Sequence, residues 1–455
     1  MVNDKKFIEF IVTYQHDCIP LVSRFFSSEA FKLCKLPPLS SLEDALSIVN
    51  LDSSRDLPAE WVTYMNYIRD LMIPTSFDQS SFPQTDIPSC LNPTQGSDSY
   101  LLPAKKIDEV KSCSQIILDN VPTNSTVIDF GAGKGYLSLD LAARGYHVLA
   151  IEGNPSHSQR FSQRLEKIRA KCDVNYKKTV AANQIGRRSD QDVADFKAKK
   201  EELDLALSHL EVKTHWVTPE TDMSALLPND WPSSLCYIGL HACGDLSVIA
   251  IKNFLHEQSS THSVTFPCCF HKLSEDQFPI TDTFKDILSN IPHSYALRTV
   301  AIANSGMKKV NLEQIEATVT HSFTRALVGA VLFSAGYADS YCNAAIKKKD
   351  FTNSLDFFIK SCETFLVDKN PDFSILSAIF EAEITNLEEV WKAGLMLKDI
   401  FTSYSVAQTL SAFVFEAMVL QDRLLYCSER GASAELVQFI SPDTSPRCFA
   451  LVLKK

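Results

Sequence analysis

The stretch "STVIDFGAGKGYLSLDLA", residues 125–142, limits this chain more than any other. The sequence holds only 14 glycines in 455 residues, yet Gly131, Gly133 and Gly135 fall together in it. They follow a β-branched apolar run ending at Asp129 and Phe130 and precede a helical pattern. The spacing predicts a strand, a tight turn that lets a ligand approach the backbone, and a helix. Further short apolar runs, "YHVLAI", "KTHWV", "LCYIGL" and "SVTFP", follow with helical or polar stretches between them. Such alternation predicts βαβ units and a parallel sheet covered on both faces. In "AELVQFISPDTSPRCFALVLKK" two β-rich runs flank a short turn, which forces them to be antiparallel neighbours.

Three nucleotide loops could carry these glycines, and the spacing separates them. A P-loop needs Lys followed by Ser or Thr, but Lys134 is followed by Gly135 and Tyr136. A dinucleotide fingerprint needs glycine where Tyr136 stands. The pattern Asp-x-Gly-x-Gly-x-Gly, with Asp129 ahead of Gly131, is similar to the S-adenosylmethionine loop of Rossmann-like methyltransferases. The ligand explains the acid: it carries an ammonium and a sulfonium but no phosphate, so a carboxylate helps where it would repel a pyrophosphate. Asp129 is expected near the amino group, directly or through water. Glu152, ending the next strand in "VLAIEG", is expected to accept both ribose hydroxyls. Asp222 is either an acceptor for the adenine amine or an ordinary helix cap. The plain alternative is a tight strand-to-helix turn with surface acids and no ligand. The fold class expected is α/β, a Rossmann-like seven-stranded methyltransferase sheet with a C-terminal antiparallel hairpin, plus a helical N-terminal domain and helical insertions.

Two clusters follow the fourth and fifth strand-like runs. "LCYIGLHACGDLS" presents His241, Cys243, Gly244 and Asp245, and "VTFPCCFHKL" presents Cys268, Cys269 and His271. Ligands of open α/β sheets sit beyond the C-terminal strand ends, so both clusters are expected beside the transferred methyl group. His241 or Asp245 could take a proton from the acceptor, and His271 could orient it. Each is equally open to an ordinary structural hydrogen bond. Zinc is open but not expected, because adjacent cysteines diverge in extended chain and no CxxC pair is present. Cys243, Gly244, Cys268 and Cys269 are expected as the acceptor-site wall.

Residues 1–73 read as a helical N-terminal domain, 74–103 as a linker or long loop, and 104–455 as the sheet-bearing domain with insertions at about 183–213 and 275–430. The basic residues of 183–213 are interleaved with acids, which describes a solvated face. A net charge of -11 confines any nucleic-acid contact to a local basic patch. The first apolar run is broken by Glu9, and "ALVGAVLFSAGYA" is too short to span a bilayer, so neither a signal peptide nor a membrane segment is expected. Thirteen cysteines without a secretory signal point to reduced thiols, in the cytoplasm with the nucleus also open.

"KKIDEV", "VIDFGAGKGYLSLDLA", "GLHACGDLS", "CCFHKL", "DRLLYCSERG" and "SPRCFALVLKK", in this order, resemble the methyltransferase-like protein 25 family. The resemblance runs from about residue 104 to the C-terminus. It implies an S-adenosylmethionine site at Asp129, Gly131, Gly133, Gly135 and Glu152, with an acceptor side at His241, Cys243, Gly244, Asp245, Cys268, Cys269 and His271. A more remote likeness links the two cysteine motifs to tRNA acceptor-stem 2'-O-methyltransferases, although Phe270 interrupts their Cys-Cys-His-His form. The expectation is a methyltransferase acting on RNA, with a protein side chain as second acceptor. The rivals are a silent cofactor-binding scaffold and an NAD-dependent oxidoreductase.

Overall fold

The apolar runs pair into one sheet. In the computed structural model, which describes residues 4–19, 21, 24–75, 82, 84–91, 104–240, 242–289, 309–338, 346, 351–445 and 447–455, its strands are β1 (Thr126–Phe130), β2 (His147–Glu152), β3 (Leu210–Thr214), β4 (Leu235–Gly239), β5 (Ser260–Thr265), β6 (Ser433–Gln438) and β7 (Phe449–Lys454). The order is β3-β2-β1-β4-β5-β7-β6. β1 runs parallel to β2 and β4, Ile128 lying between Leu149 and Tyr237. β7 is antiparallel to both neighbours, with Val452 opposite Val264 of β5 and Glu435 of β6. This is the expected α/β, Rossmann-like methyltransferase sheet, closed by the antiparallel hairpin.

Among the described residues the helices are α1 (Asp4–Cys18), α2 (Leu42–Val49), α3 (Ala59–Leu71), α4 (Ala104–Asn120), α5 (Tyr136–Ala143), α6 (Pro155–Gln184), α7 (Asp190–Ser208), α8 (Asp245–His256), α9 (Asp282–Leu288), α10 (Leu312–Ser334), α11 (Leu355–Phe365), α12 (Phe373–Phe380), α13 (Leu387–Met396) and α14 (Lys398–Ser428). β1 and β4 are buried along their whole length because helices cover both faces of the sheet. Ile128, Leu149, Tyr237 and Leu451 from four strands share one buried cluster with Ile251 and Phe254 of α8.

The region 183–213 differs from expectation. It is the end of α6, all of α7 and most of β3, so the third strand starts at Leu210 and ends before the Trp216 that "KTHWV" would include. β3 is a sheet edge with Glu211 and Lys213 among its residues, and such a strand reads as charged surface rather than as a buried apolar run. Both helices have clear starts. Asn154 accepts from the Ser156 N–H at the head of α6, with Pro155 in the first turn, and Ser189 and Asp192 form a reciprocal capping box on α7. Lys200 of α7 is matched to Asp173 and Asp204 at 3.0 and 2.7 Å, the solvated face expected there.

Residues 1–74 and 282–419 make one compact unit, and 75–281 with 420–455 make the other. The N-terminal helices therefore do not form a domain of their own. Aromatic packing explains this: Phe10 and Tyr14 of α1 lie 5.7 and 4.8 Å from Tyr64 of α3, and Phe10 also lies 6.3 Å from Phe415. The Tyr64 hydroxyl donates to the Ala407 carbonyl at 2.7 Å. Most of the expected linker, 74–103, falls outside the described residues. Among the described residues α14 alone is long and apolar enough to cross a membrane, but 89% of its most apolar window is buried, as in a core helix.

In the sheet-bearing unit, Asp422 accepts from the N–H groups of Ile280 and Thr281, both at 2.9 Å, and from the Thr281 hydroxyl at 2.5 Å. Burial raises its pKa, and these hydrogen bonds oppose that. Asp422→Ala leaves three donors stranded and is expected to lower stability by about 3 kcal/mol or more, with Asp422→Asn less harmful. Urea unfolding midpoints of the two variants check this.

Candidate active site

A cavity of about 840 Å³ opens beyond the C-terminal ends of β1 to β4, where the strand order reverses. The fold places ligands at such switch points. The volume falls within the usual range for small-molecule sites.

The glycine loop forms one wall. Gly131, Gly133 and Gly135 have φ of 66°, 58° and 67°, in the left-handed region that favours glycine. Gly135 is doubly constrained, because a Cβ there would stand 1.7 Å from the buried Phe161 ring of α6. Arg164, also on α6, clamps the loop from outside: it donates to the Lys134 carbonyl at 3.0 Å and lies 4.3 Å over the Tyr136 ring. Gly131 and Gly133 line the cavity; Gly135 packs behind them.

Glu152 stands on the cavity wall at the end of β2 and accepts from the Gly133 N–H at 3.1 Å and the Asn154 N–H at 2.9 Å. A loop N–H that a dinucleotide site would offer to phosphate is thus given to a carboxylate, which repels phosphate. The residues suit S-adenosylmethionine instead: bare backbone for close approach, and an acid for hydroxyls or cationic groups.

Asp129 occupies a different place from the one expected. It is buried beneath the loop, outside the cavity lining, and accepts from the Ser138 hydroxyl at 2.6 Å. Burial pushes its pKa up to about 7, with the Ser138 hydrogen bond opposing and the Glu152 charge adding. Asp222 is exposed and accepts from the Ala225 N–H at 3.2 Å, away from the cavity lining. That bond is a local one, to the backbone three residues on. His215, Trp216 and Val217, just past β3, line the cavity instead. Trp216 is 78% exposed, a large ring with a free face on a cavity wall, suited to stacking on a base. Its signal was an apolar aromatic at a strand end, hidden by taking it as part of the strand.

The opposite wall comes from the loops after β4 and β5. Cys243 and Asp245 line the cavity; His241 lies outside the described residues. Asp245 opens α8 and accepts from the Ser274 N–H at 2.7 Å, joining the two loops. Gly244, with φ of 58°, joins them again, since a Cβ would lie 2.7 Å from the Lys272 carbonyl oxygen. His271 does not line the cavity, and its buried Nδ1 has no hydrogen-bond partner; Lys272 reaches the wall in its place. A turn of 3₁₀ helix, Phe270–Lys272, rotates the neighbouring residue inward where an extended reading would place the histidine.

Cys268 and Cys269 stand behind Cys243. The Cys243 and Cys268 sulfurs are 3.1 Å apart. The hydrogen bond from Cys268 holds the Cys269 thiol down to about 5, with burial opposing and Cys243, Lys272 and His271 adding, while Cys268 is pushed well up by its hydrogen bonds with both partners and by burial.

Residues 105–276, which span this loop, Glu152 and both cysteine motifs, match a family described as a methyltransferase domain. The segment is a methyltransferase domain. Two curated relatives support the family resemblance read from the motifs. "Probable methyltransferase-like protein 25" of Homo sapiens is 23% identical over 265 residues, covering 53% of this chain and 40% of the relative. Its Mus musculus counterpart is 25% identical over 234 residues, covering 48% and 37%. The matches thus span about two fifths of the relatives' own length. Among solved structures, the rRNA methyltransferase aviRa from Streptomyces viridochromogenes is 13% identical, covers 39% of this chain and 77% of that one, and has a TM-score of 0.25.

Two outcomes follow for the methyltransferase domain. Gly135→Ala is expected to destabilise it by about 2–4 kcal/mol, and Phe161→Leu in the same chain to recover part of that loss in a double-mutant cycle of thermal unfolding. For Asp129, a carboxyl whose pKa rises from 3.8 unfolded to about 7 folded contributes stability below the lower value that is lost as pH rises through the higher one. Asp129→Asn escapes that loss. The variant should melt above the parent at pH 8, with the gap shrinking as pH falls to 5.

Proposed function

We propose that this chain transfers the methyl group of S-adenosylmethionine to an RNA acceptor. The observation that carries the reading is the hydrogen-bonded pairing of the Gly131–Gly135 loop with Glu152 on the wall of a cavity of cofactor size. Gly131, Gly133 and Glu152 would hold the cofactor, with Trp216 against the adenine; when bound, it supplies an electrophilic methyl on a sulfonium. The chain's own residues do the rest. The tied loops after β4 and β5 hold the acceptor still, and the Asp245 carboxylate on the cavity wall is placed to receive a proton from it.

The acceptor class rests on charge. Lys106, Lys134, Arg160 and Lys272 line the cavity against the carboxylates of Glu152 and Asp245. Lys106 is paired with Glu109, but Lys134, Arg160 and Lys272 are exposed. In a chain of net charge -11 this is a local basic rim, the kind a polyanion needs.

Calorimetry with S-adenosylmethionine tests the cofactor step. The parent chain should bind, and Glu152→Ala should bind about 10- to 100-fold more weakly, as expected for charged hydrogen bonds to hydroxyls. No heat from the parent chain sinks the proposal. Tritiated methyl transfer into extract from cells lacking the protein then tests the acceptor: label should enter RNA and fall with Lys272→Glu. Label in protein alone moves the acceptor to a side chain, and label in neither fraction favours the silent scaffold.

A further inference from the structure

The sequence speaks against zinc on two grounds: adjacent cysteines diverge in extended chain, and no CxxC pair is present. The fold answers both, the first by the backbone at Cys269 and the second by a third cysteine from another loop. Cys269 has φ of 53° and ψ of 44°, a left-handed conformation uncommon for a residue with a side chain, so the divergence of extended chain does not hold between Cys268 and Cys269. Cys268 in turn sits beside Cys243 in an isolated parallel bridge, with the Gly244 N–H directed at the Cys268 carbonyl at 3.3 Å. The outcome is three sulfurs, from Cys243, Cys268 and Cys269, all within 4.8 Å of one another.

Three converging thiols suit a thiophilic ion better than a disulfide, which joins two and leaves one over. With metal–sulfur bonds of about 2.3 Å, tetrahedral thiolates stand about 3.8 Å apart, so the 3.1 Å pair needs to open by less than 1 Å. A second observation concerns charge. Three thiolates around a divalent ion leave one negative charge, and Arg423 is 1% exposed with neither terminal nitrogen hydrogen-bonded. Its guanidinium lies 5.4 Å from the centre of the Phe270 ring, the residue next to Cys269; burial lowers its pKa, and the charges of Asp422 first and Cys268 next oppose that. Asp422 supplies one counter-charge, but both terminal nitrogens keep unused donors, and an anionic cluster beside them offsets the cost of burying those donors.

From this convergence we propose that Cys243, Cys268 and Cys269 are the protein ligands of a zinc ion. On binding, the thiols release their protons to solvent. Three protein ligands with a fourth position left for water or a substrate atom is the pattern of reactive zinc sites, and Cys243 lines the cavity from which such a ligand would come. The ion also ties the loop after β4 to the loop after β5. None of this depends on methyl transfer.

Metal analysis of the full chain, purified under reductant without chelator, should find one zinc per chain. Cys268→Ser and Cys269→Ser should reduce zinc to trace, whereas Cys172→Ser, on α6, should retain it. Because a cysteine variant could misfold, the parent chain is also stripped and titrated with cobalt, which should develop a thiolate-to-cobalt charge-transfer band. Absence of both zinc and that band overturns the proposal, as does zinc unchanged in Cys268→Ser, copper in place of zinc, or a Cys243–Cys268 disulfide in the fresh protein. S-adenosylmethionine calorimetry on the same samples separates the two readings: a chain that binds zinc but not the cofactor upholds this site and sinks only the proposed transfer.

Discussion

The hold of Glu152 on the backbone of Gly133 organises the candidate site. That carboxylate ends β2, the amide belongs to the turn leaving β1, and their hydrogen bond fixes two parallel strand ends to one another at the mouth of the cavity. The loop can offer the amide only because its glycines accept left-handed backbone, and it stays in place because Phe161 fills the space a side chain at Gly135 would need. Once the amide is engaged by an acid, the loop is a poor phosphate cradle and a good neighbour for a cation. One interaction therefore sets both the shape and the ligand preference of the wall.

The legible parts of the fold were those where local pattern and burial agree. β1, β2 and β4 are buried on both faces and read as mostly apolar, β-branched runs; the Ser-Pro-Asp turn before β7 required a hairpin. β3 was misplaced because an edge strand buries little and its charges resemble those of the helix before it. The partnership of α1 to α3 with the helices after β5 was not legible at all. Aromatic contacts such as Phe10 with Phe415 join residues hundreds of positions apart, and no local period encodes them.

In the site, residues named for backbone reasons were easier to place than those named for side-chain chemistry. Gly131, Gly133 and Glu152 follow from the turn and the strand end. Asp129 has the right sequence position but lies under the loop, since a strand residue one step from the turn faces the core or the cavity according to a pleat that spacing alone does not give. His271 and Lys272 exchanged places for a related reason: a single 3₁₀ turn changes which neighbour faces in. Cys269 departs furthest, because a left-handed residue that is not glycine leaves no mark in a sequence.

The cavity wall after β4 and β5 is tied across its two loops three times, by the Cys243–Cys268 bridge, by Gly244 against the Lys272 carbonyl, and by Asp245 on the Ser274 amide. Loops joined so closely move together, so the wall behaves as one rigid surface rather than as two independent lids. A rigid wall positions an acceptor without further ordering cost, which is the main help a methyl transfer asks of its protein. It also confines adaptation to side chains that project from the wall without holding it together. Lys272 is such a residue: its backbone is part of the tie, while its side chain is exposed at the cavity, so the charge of the wall can change there without loosening the tie itself.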